Sequence, residues 1–181
     1  METRRIRLRE VRNDDFDVLF SWRNTEKFRF LFHYDESVID YNGFCNAFSR
    51  DARVRKYQFV IEKISNQELI GLTFVHSYSE IDRHCFLNVF INERYEGKGY
   101  GVDVFALMFH FLFEQVNIEK LYVEAFDFNH FSIKCIQASG MKEIKRLVGK
   151  RLHLGVRHDS VRFLGERDLL PKIDEVLKNL S

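Results

Sequence analysis

Three glycines at alternate positions, Gly97, Gly99 and Gly101, stand in the segment ERYEGKGYGVDV. They belong to a chain of 181 residues with only nine glycines, and its most apolar stretch follows them directly. Glycine costs backbone entropy on folding, so such a cluster usually serves an unusual backbone conformation or the close approach of another group. A helix that begins here has unpaired amide N–H groups in its first turn, and its dipole favours a negative charge there. The segment therefore predicts an anion site suited to phosphate.

Two familiar phosphate loops are excluded by spacing. No Gly-Lys-Ser/Thr follows a four-residue gap, as a P-loop requires. The spacing also differs from the dinucleotide fingerprint GxGxxG, which needs an acidic residue at the end of the next strand. A tight strand-to-helix turn without a ligand explains the glycines equally well, so both interpretations stay open on this evidence alone.

The elements that position this loop alternate between strands and helices. Hydrophobic periodicity predicts, in chain order, a strand at Ile6–Val11, helices beginning near Asn13 and Ser37, a hairpin from Tyr57 to Tyr78, a strand at His84–Ile91, a helix at 101–116, a strand at 120–128, a short helix ended by Gly140, strands at Lys142–Leu147 and His158–Leu164, and a last helix from Pro171. This order predicts a mixed α/β fold around one sheet.

Composition narrows the function classes. The net charge of +1 gives no field that selects nucleic acid or an anionic membrane. Three isolated cysteines (Cys45, Cys85 and Cys135) make neither a disulfide framework nor a zinc site, so no metal is expected. The apolar run at Val102–Phe113 is too short to span a bilayer, and the N-terminal segment METRRIRLREV has no apolar signal region. We expect one cytoplasmic domain over residues 1–181.

The glycine loop resembles the acetyl-CoA loop of the GNAT acetyltransferase superfamily, Gln/Arg-x-x-Gly-x-Gly/Ala. Two registers fit, Arg94-x-x-Gly97-x-Gly99 and Glu96-x-x-Gly99-x-Gly101. The distances to the preceding strand and to the helix favour the second. This register puts Glu96 where the family has Gln or Arg, which weakens the expected polar contact, although the backbone amides carry most of the phosphate binding.

A second segment, NHFSIKCIQASGMKEI, resembles the family motif Asn-x-x-Ser/Ala-x-x-x-Tyr-Glu-x-x-Gly-Phe. Asn129, Ser132 and Gly140 match it, and Met141 replaces the Phe. The ordered pair covers residues 5–165 and is similar to RimJ/RimL-like members. The resemblance implies a single central mixed sheet, mostly antiparallel, of six to seven strands with flanking helices and a splayed pair of parallel strands, followed by a C-terminal helix at 171–180.

The resemblance also implies acetyl-CoA as the cosubstrate. By that resemblance the cofactor-binding residues are Val89, Phe90 and Ile91 beside the pantetheine arm, Glu96, Gly97, Lys98, Gly99, Tyr100 and Gly101 at the pyrophosphate, and Asn129 with Ser132 across the gap between the strands. An ordinary core strand explains Val89–Ile91 as well, and the two interpretations are compatible.

Glu124 is the candidate general base. Acetyl transfer needs a neutral amine and a group that removes its excess proton. Alternation places Glu124 on one face of its strand with Tyr122, Phe126 and Phe128, where desolvation would raise its pKa. Ribosomal-protein N-terminal acetyltransferases of this superfamily similarly carry a catalytic Glu five residues before the Asn. The alternative is a structural Glu paired with a neighbouring Lys or Arg.

The group that protonates the departing thiolate is less defined. Many relatives have a Tyr seven residues after the Asn, and this chain has Ile136 there. Ser132, Cys135, Tyr78 and solvent remain, with Cys135 expected in the core of its helix.

The aromatic and basic segment SWRNTEKFRFLFHYDE predicts the acceptor pocket. Arg23, Arg29, His33 and Tyr34 suit an acceptor that bears phosphate or hydroxyl groups; an ordinary surface helix and loop is the alternative. The segment resembles acetyltransferases of nucleotide-linked amino sugars. We therefore expect acetylation of a small-molecule primary amine such as a nucleotide-linked amino sugar, by a monomer or homodimer. A protein N-terminal acetyltransferase and a non-catalytic acyl-CoA-binding module are the alternatives.

Overall fold

A computed structural model describes residues 1–32, 37–153 and 155–180. The seven strands are β1 (Ile6–Glu10), β2 (Lys56–Lys63), β3 (Leu69–Ser79), β4 (His84–Ile91), β5 (Lys120–Phe126), β6 (Lys142–His153) and β7 (Val156–Glu166). They form one sheet in the order β1-β2-β3-β4-β5-β7-β6. Every neighbouring pair is antiparallel except β4 and β5, which are parallel. The mixed, mostly antiparallel sheet expected from the sequence is confirmed.

Helices cover both faces of this sheet. They are α1 (Phe16–Arg23), α2 (Glu26–Leu31), α3 (Tyr41–Asp51), α4 (Tyr100–Glu114), α5 (His130–Ala138) and α6 (Leu170–Leu180). Side chains of α4, α5 and α6 pack in one hydrophobic cluster, and those of α1, α2 and α3 pack in another. Helix α4 is apolar on nearly all sides because it lies between the sheet and α6. Among the described residues, no helix is both long and apolar enough to cross a membrane.

The parallel pair separates soon after it begins. Strands β4 and β5 pair only at His84 with Lys120, Cys85 with Leu121 and Phe86 with Tyr122. Beyond these pairs β4 stays bonded to β3, and β5 stays bonded to β7. The splayed parallel pair expected from the resemblance is confirmed, and it opens a gap inside the sheet.

Helix α2 was not expected from the sequence. Its Thr25 cap accepts a hydrogen bond from the backbone N–H of Phe28 at 3.3 Å. Phe28, Phe30 and Phe32 alternate, which is not a helical period, so the pattern gave no helix signal. In the structure Phe28 packs on Phe90 of β4, with ring centroids 4.8 Å apart, while Phe30 stacks on Phe126 of β5 at 5.1 Å. Helix α2 therefore bridges the two splayed strands.

Two other boundaries differ from expectation in ways that affect the site. Helix α3 begins at Tyr41 rather than near Ser37, because Asp40 caps it by accepting from the N–H of Gly43 at 2.7 Å. The last two strands are both longer than predicted at the turn between them, and β7 also extends two residues further at its outer end, whereas β6 begins at Lys142 as predicted. A register irregularity in β6 between Leu147 and Arg151 accompanies this extension, which carries Lys150 into the gap.

Candidate active site

A cavity of about 910 Å³ occupies the gap between β4 and β5. We call its two parts the cofactor half and the acceptor half. The cofactor half is lined by Val89, Phe90, Ile91, Tyr95, Glu96, Gly97, Gly99, Tyr100, Gly101, Asn129, Phe131, Ser132 and Cys135. The acceptor half is lined by Asp51, Arg55, Phe74, His76, Phe86, Glu124, Lys150, Ser160 and Arg162. This volume lies near the upper end of the range for small-molecule sites.

The glycine loop has the backbone form that only glycine adopts without strain. Gly97 and Gly99 have φ of +69° and +81°. Gly99 is the N-cap of α4, and no side chain caps that end within the described residues. Residues of the first turn of α4 line the cleft, and no side chain caps that turn among the described residues, which is the arrangement of a phosphate site at a helix N-terminus.

Most of the residues predicted to bind the cofactor line one cavity. All of the cofactor-binding residues predicted from the sequence line the cleft except Lys98. The Lys98 side chain is exposed, and its Nζ lies 5.3 Å from the centre of the Tyr95 ring. Asn129 caps α5 by accepting from the N–H of Ser132 at 3.2 Å. This cap fixes the Asn129 side chain at the edge of the gap, opposite β4.

Arg5 supports the loop from behind, a contact that sequence reasoning missed. Its guanidinium donates to the carbonyl oxygens of Lys98 at 3.0 Å and Gly99 at 3.1 Å, and it forms an ion pair with the fully buried Asp103 of α4. The Thr3 hydroxyl donates to the same carboxylate at 2.8 Å. With both carbonyls bound on the outside, the loop is held in one conformation. The only available signal was an aspartate inside an otherwise apolar helix.

Glu124 lies in the cleft, but its electrostatics differ from the expectation. Its carboxylate accepts from Lys150 Nζ at 2.6 Å and from Arg162 Nε at 2.8 Å. Burial raises the pKa of Glu124, yet the hydrogen bonds and charges of Lys150 and Arg162 outweigh it, so the net pKa is lowered. The expected rise through desolvation is therefore wrong for this structure. The alternative, a Glu paired with a neighbouring Lys or Arg, is what the structure contains.

Besides Glu124, the acceptor half contains arginines and aromatic rings that the sequence did not single out. The Arg162 guanidinium lies 4.9 Å from the centre of the Phe86 ring, and the His76 ring stacks on the same Phe86 ring with centroids 5.2 Å apart. The Arg55 guanidinium lies 4.2 Å from the Phe74 ring centre and pairs with Asp51 at 2.9 Å. These groups come from elements far apart in the chain.

The predicted acceptor residues do not gather here. Arg23, the last residue of α1, is buried and lines a separate small cavity together with Phe44 of α3, and Arg29 is not among the residues that line the cleft. His33 and Tyr34 lie outside the described residues. The acceptor role predicted for Arg23 and Arg29 has no support from their positions.

The structure also shows which of the residues considered for protonation of the thiolate line the cleft. Ile136 is buried, and Cys135 is half-buried, packing against the hydrophobic cluster of α4, α5 and α6 while it also lines the cleft. Burial raises the pKa of the Cys135 thiol to about 11, so it is a weak proton donor. Tyr78 packs against Tyr57 within the α4 cluster and does not line the cleft. Ser132 and solvent remain as donors at this end. Among the described residues, no group of His, Cys, Asp or Glu is arranged to hold a metal ion.

Comparison with known proteins identifies the family. The model of the acetyltransferase (GNAT) domain family matches residues 5–142. The chain belongs to the GNAT acetyltransferase family. It is an N-acetyltransferase that uses acetyl-CoA, as the sequence resemblance predicted. The RimJ/RimL-like subtype stays a prediction. No curated protein sequence matches the chain.

Solved structures share the fold. The spermidine N-acetyltransferase from Vibrio cholerae, in complex with CoA and spermine, has a TM-score of 0.81 and 18% identity, covering 92% of this chain and 98% of that one. A GNAT-family acetyltransferase from Bacillus anthracis has a TM-score of 0.76 and 15% identity, covering 93% of this chain and 98% of that one. At these identities the likeness shows the fold alone.

Proposed function

We propose that this GNAT member acetylates a small-molecule primary amine that also carries an anionic group, as a nucleotide-linked amino sugar does. The single observation that supports this acceptor class is the pairing of two cations, Lys150 and Arg162, with one carboxylate, Glu124, in the acceptor half. The three groups leave one positive charge uncompensated beside the cavity. An anionic group on the acceptor would satisfy it, and guanidinium binds phosphate or carboxylate bidentately.

The arrangement of the same three residues also suits a route for the excess proton of the acceptor amine. In the free protein Glu124 is held by both cations, which makes it a weak base. An acceptor anion bound to Lys150 or Arg162 competes with Glu124 for that cation. Release of Glu124 raises its basicity while the acceptor is bound, so the carboxylate removes the proton of the amine directly or through water. Base strength thereby depends on the correct acceptor.

The bond changes follow from this arrangement. The amine lone pair attacks the thioester carbonyl carbon, the new C–N bond forms, and the C–S bond breaks. The excess proton of the nitrogen leaves to Glu124, and the departing thiolate takes a proton from solvent or from the Ser132 end of the cleft. Cofactor and acceptor approach from opposite halves, as direct transfer requires.

Two other acceptor classes define the test. The similar Vibrio cholerae structure contains spermine, so a polyamine is one competitor; a protein N-terminus, the ribosomal-protein-like activity, is the other. A polyamine has only positive charges and would meet Lys150 and Arg162 unfavourably. Free thiol release from acetyl-CoA, followed with 4,4′-dithiodipyridine, ranks an amino sugar phosphate, a nucleotide-linked amino sugar, the neutral amino sugar, spermidine and a short peptide by kcat/KM.

We expect the phosphate-bearing amines to rank first. Lys150→Gln should raise their KM about tenfold through loss of one charged hydrogen bond, with little change for the neutral amino sugar. Lys145→Gln, an exposed lysine on the same strand, is the matched control. A higher kcat/KM for spermidine or the peptide than for every phosphate-bearing amine would contradict the proposed acceptor class.

A further inference from the structure

The glycine loop contains an acidic residue, Glu96. Glu96 occupies the position at which the family has Gln or Arg, and it lines the cleft beside Gly97. It stands three residues before Gly99, the N-cap of α4. A carboxylate at this place would repel an anionic diphosphate bound at the same loop. The chain needs a compensating charge if the loop is to bind phosphate.

Helix α2 carries that charge. Lys27 Nζ forms an ion pair with the Glu96 carboxylate, and both side chains are mostly shielded, at 28% exposure each. Lys27 reaches the loop because α2 is fixed across the gap by Phe28 on Phe90 and Phe30 on Phe126. The helix absent from the sequence prediction is thus the element that reaches the unusual residue of the loop.

We propose that Lys27 is a positioning residue of the cofactor site. It neutralises the charge of Glu96, which stands at the position where the family has Gln or Arg. This inference rests on the proposed binding of the acetyl-CoA diphosphate at the glycine loop. It makes acetyl-CoA affinity depend on a residue from α2, an element that also covers the two splayed strands.

If Lys27 and Glu96 formed only an ordinary surface ion pair, its loss would have a different effect on CoA binding. Such pairs contribute little to folding stability, and their loss has little effect on a distant ligand. A pair that neutralises a carboxylate beside a diphosphate affects ligand affinity much more than stability, and the effect grows as ionic strength falls. Affinity and thermal stability therefore have to be measured on the same variants.

The experiment is a double-mutant cycle on the full chain. Lys27→Gln, Glu96→Gln and the double variant are compared with the unchanged protein, by calorimetric titration with CoA at low and at physiological ionic strength. The KM for acetyl-CoA, kcat and the melting temperature without ligand are measured alongside. Glu93→Gln is the control, because Glu93 is an exposed acid in the same loop segment. Lys27→Arg tests whether a different side chain with the same positive charge preserves CoA affinity.

We expect Lys27→Gln to weaken CoA binding about fivefold to tenfold at low ionic strength, with a smaller effect at physiological salt. Glu96→Gln should bind CoA at least as tightly as the unchanged protein. The double variant should return to within about twofold of Glu96→Gln, and Lys27→Arg should keep full affinity. The KM for acetyl-CoA should follow these changes while kcat and the melting temperature stay near their original values.

Two results would overturn the inference. One is a Lys27→Gln variant that binds CoA as well as the unchanged protein. The other is a double variant no better than Lys27→Gln, because the loss would then come from something other than unpaired Glu96. If the unchanged protein itself does not bind CoA, the proposed function fails first, so the two failures are distinguishable.

Discussion

The cofactor half and the acceptor half of the cleft are built in opposite ways. The cofactor half comes mainly from one continuous stretch, β4 and the glycine loop, and we expect its binding groups to be mainly backbone atoms. The acceptor half is made of side chains, and Glu124 meets partners 26 and 38 residues away in sequence. A site made of backbone depends on conformation, while a site made of side chains depends on charge. Mutations should therefore affect the two halves in separable ways.

The largest effect should come from the backbone-made half. Gly99→Val places a β-branched residue at φ +81°, with its Cβ 3.3 Å from the Arg5 guanidinium. The strained loop can no longer hold its amides toward the phosphates, so CoA affinity should fall at least about 100-fold. Calorimetric titration with CoA measures this loss.

Gly155→Val is the matched control for that variant. Gly155 also has a left-handed φ of +78°, and a Cβ there meets no atom within 4 Å. It carries the same backbone penalty without any contact with the cleft. Comparable CoA affinity in Gly99→Val and the unchanged protein would remove the loop from the cofactor site.

The next largest effect should come from the side-chain-made half. Glu124→Gln should lower kcat about 100-fold, the lower end for a lost general base, while CoA affinity is unchanged. Glu143→Gln, which removes another ion-paired glutamate, is the control. Undiminished turnover in Glu124→Gln near pH 7 would leave Glu124 with a structural role only.

The pH profile adds a check on the same residue. Lys150 and Arg162 hold the pKa of Glu124 below its ordinary value, so the free protein keeps it ionised at neutral pH. Between about pH 6 and pH 8, kcat/KM should therefore rise with deprotonation of the acceptor amine and show no limb from Glu124.

A smaller effect should come from the residue that supports the loop from outside. Arg5→Gln removes the donors to the carbonyls of Lys98 and Gly99 and leaves Asp103 buried with Thr3 as its hydrogen-bond donor. CoA affinity should fall by about tenfold, and unfolding free energy by about 1–3 kcal/mol. Denaturant unfolding and CoA titration measure both.

Arg7→Gln provides the comparison for that variant. Arg7 lies in β1, two residues after Arg5, and pairs with Glu2 at 2.8 Å, outside the cleft. If both arginine variants lose CoA affinity equally, the contacts of Arg5 with the loop do not matter for the cofactor, and the backbone-made half is self-supporting.

The sequence predicted most of the fold because its signals are local. Strand β4 has the predicted limits, His84–Ile91, since its apolar run is bounded by turns. Gly140 follows α5 with φ +95°, as its position after the helix predicted. Helix α2 was not predicted because Phe28, Phe30 and Phe32 alternate with other residues, which is not a helical period, while their packing across the gap depends on distant strands.

The same reasoning explains which parts of the site could be predicted. The loop glycines and Asn129 were predictable because backbone conformation and helix capping depend on neighbours in the chain. The net pKa of Glu124 was not, because Lys150 enters the cleft through an irregular extension of β6 that no local pattern shows. The acceptor role of Arg23 stays a prediction, because this buried residue of α1 lines the small second cavity and is not among the residues that line the cleft.

The separation of β4 from β5 after only three residue pairs has a further consequence. It places unpaired main chain in the middle of a sheet, where amide and carbonyl groups could adhere to a strand of another molecule. The aromatic side chains of α2 cover this opening from above, at Phe90 on one side and Phe126 on the other. Helix α2, only six residues long, thus contacts both strands at the opening where such an attachment would form.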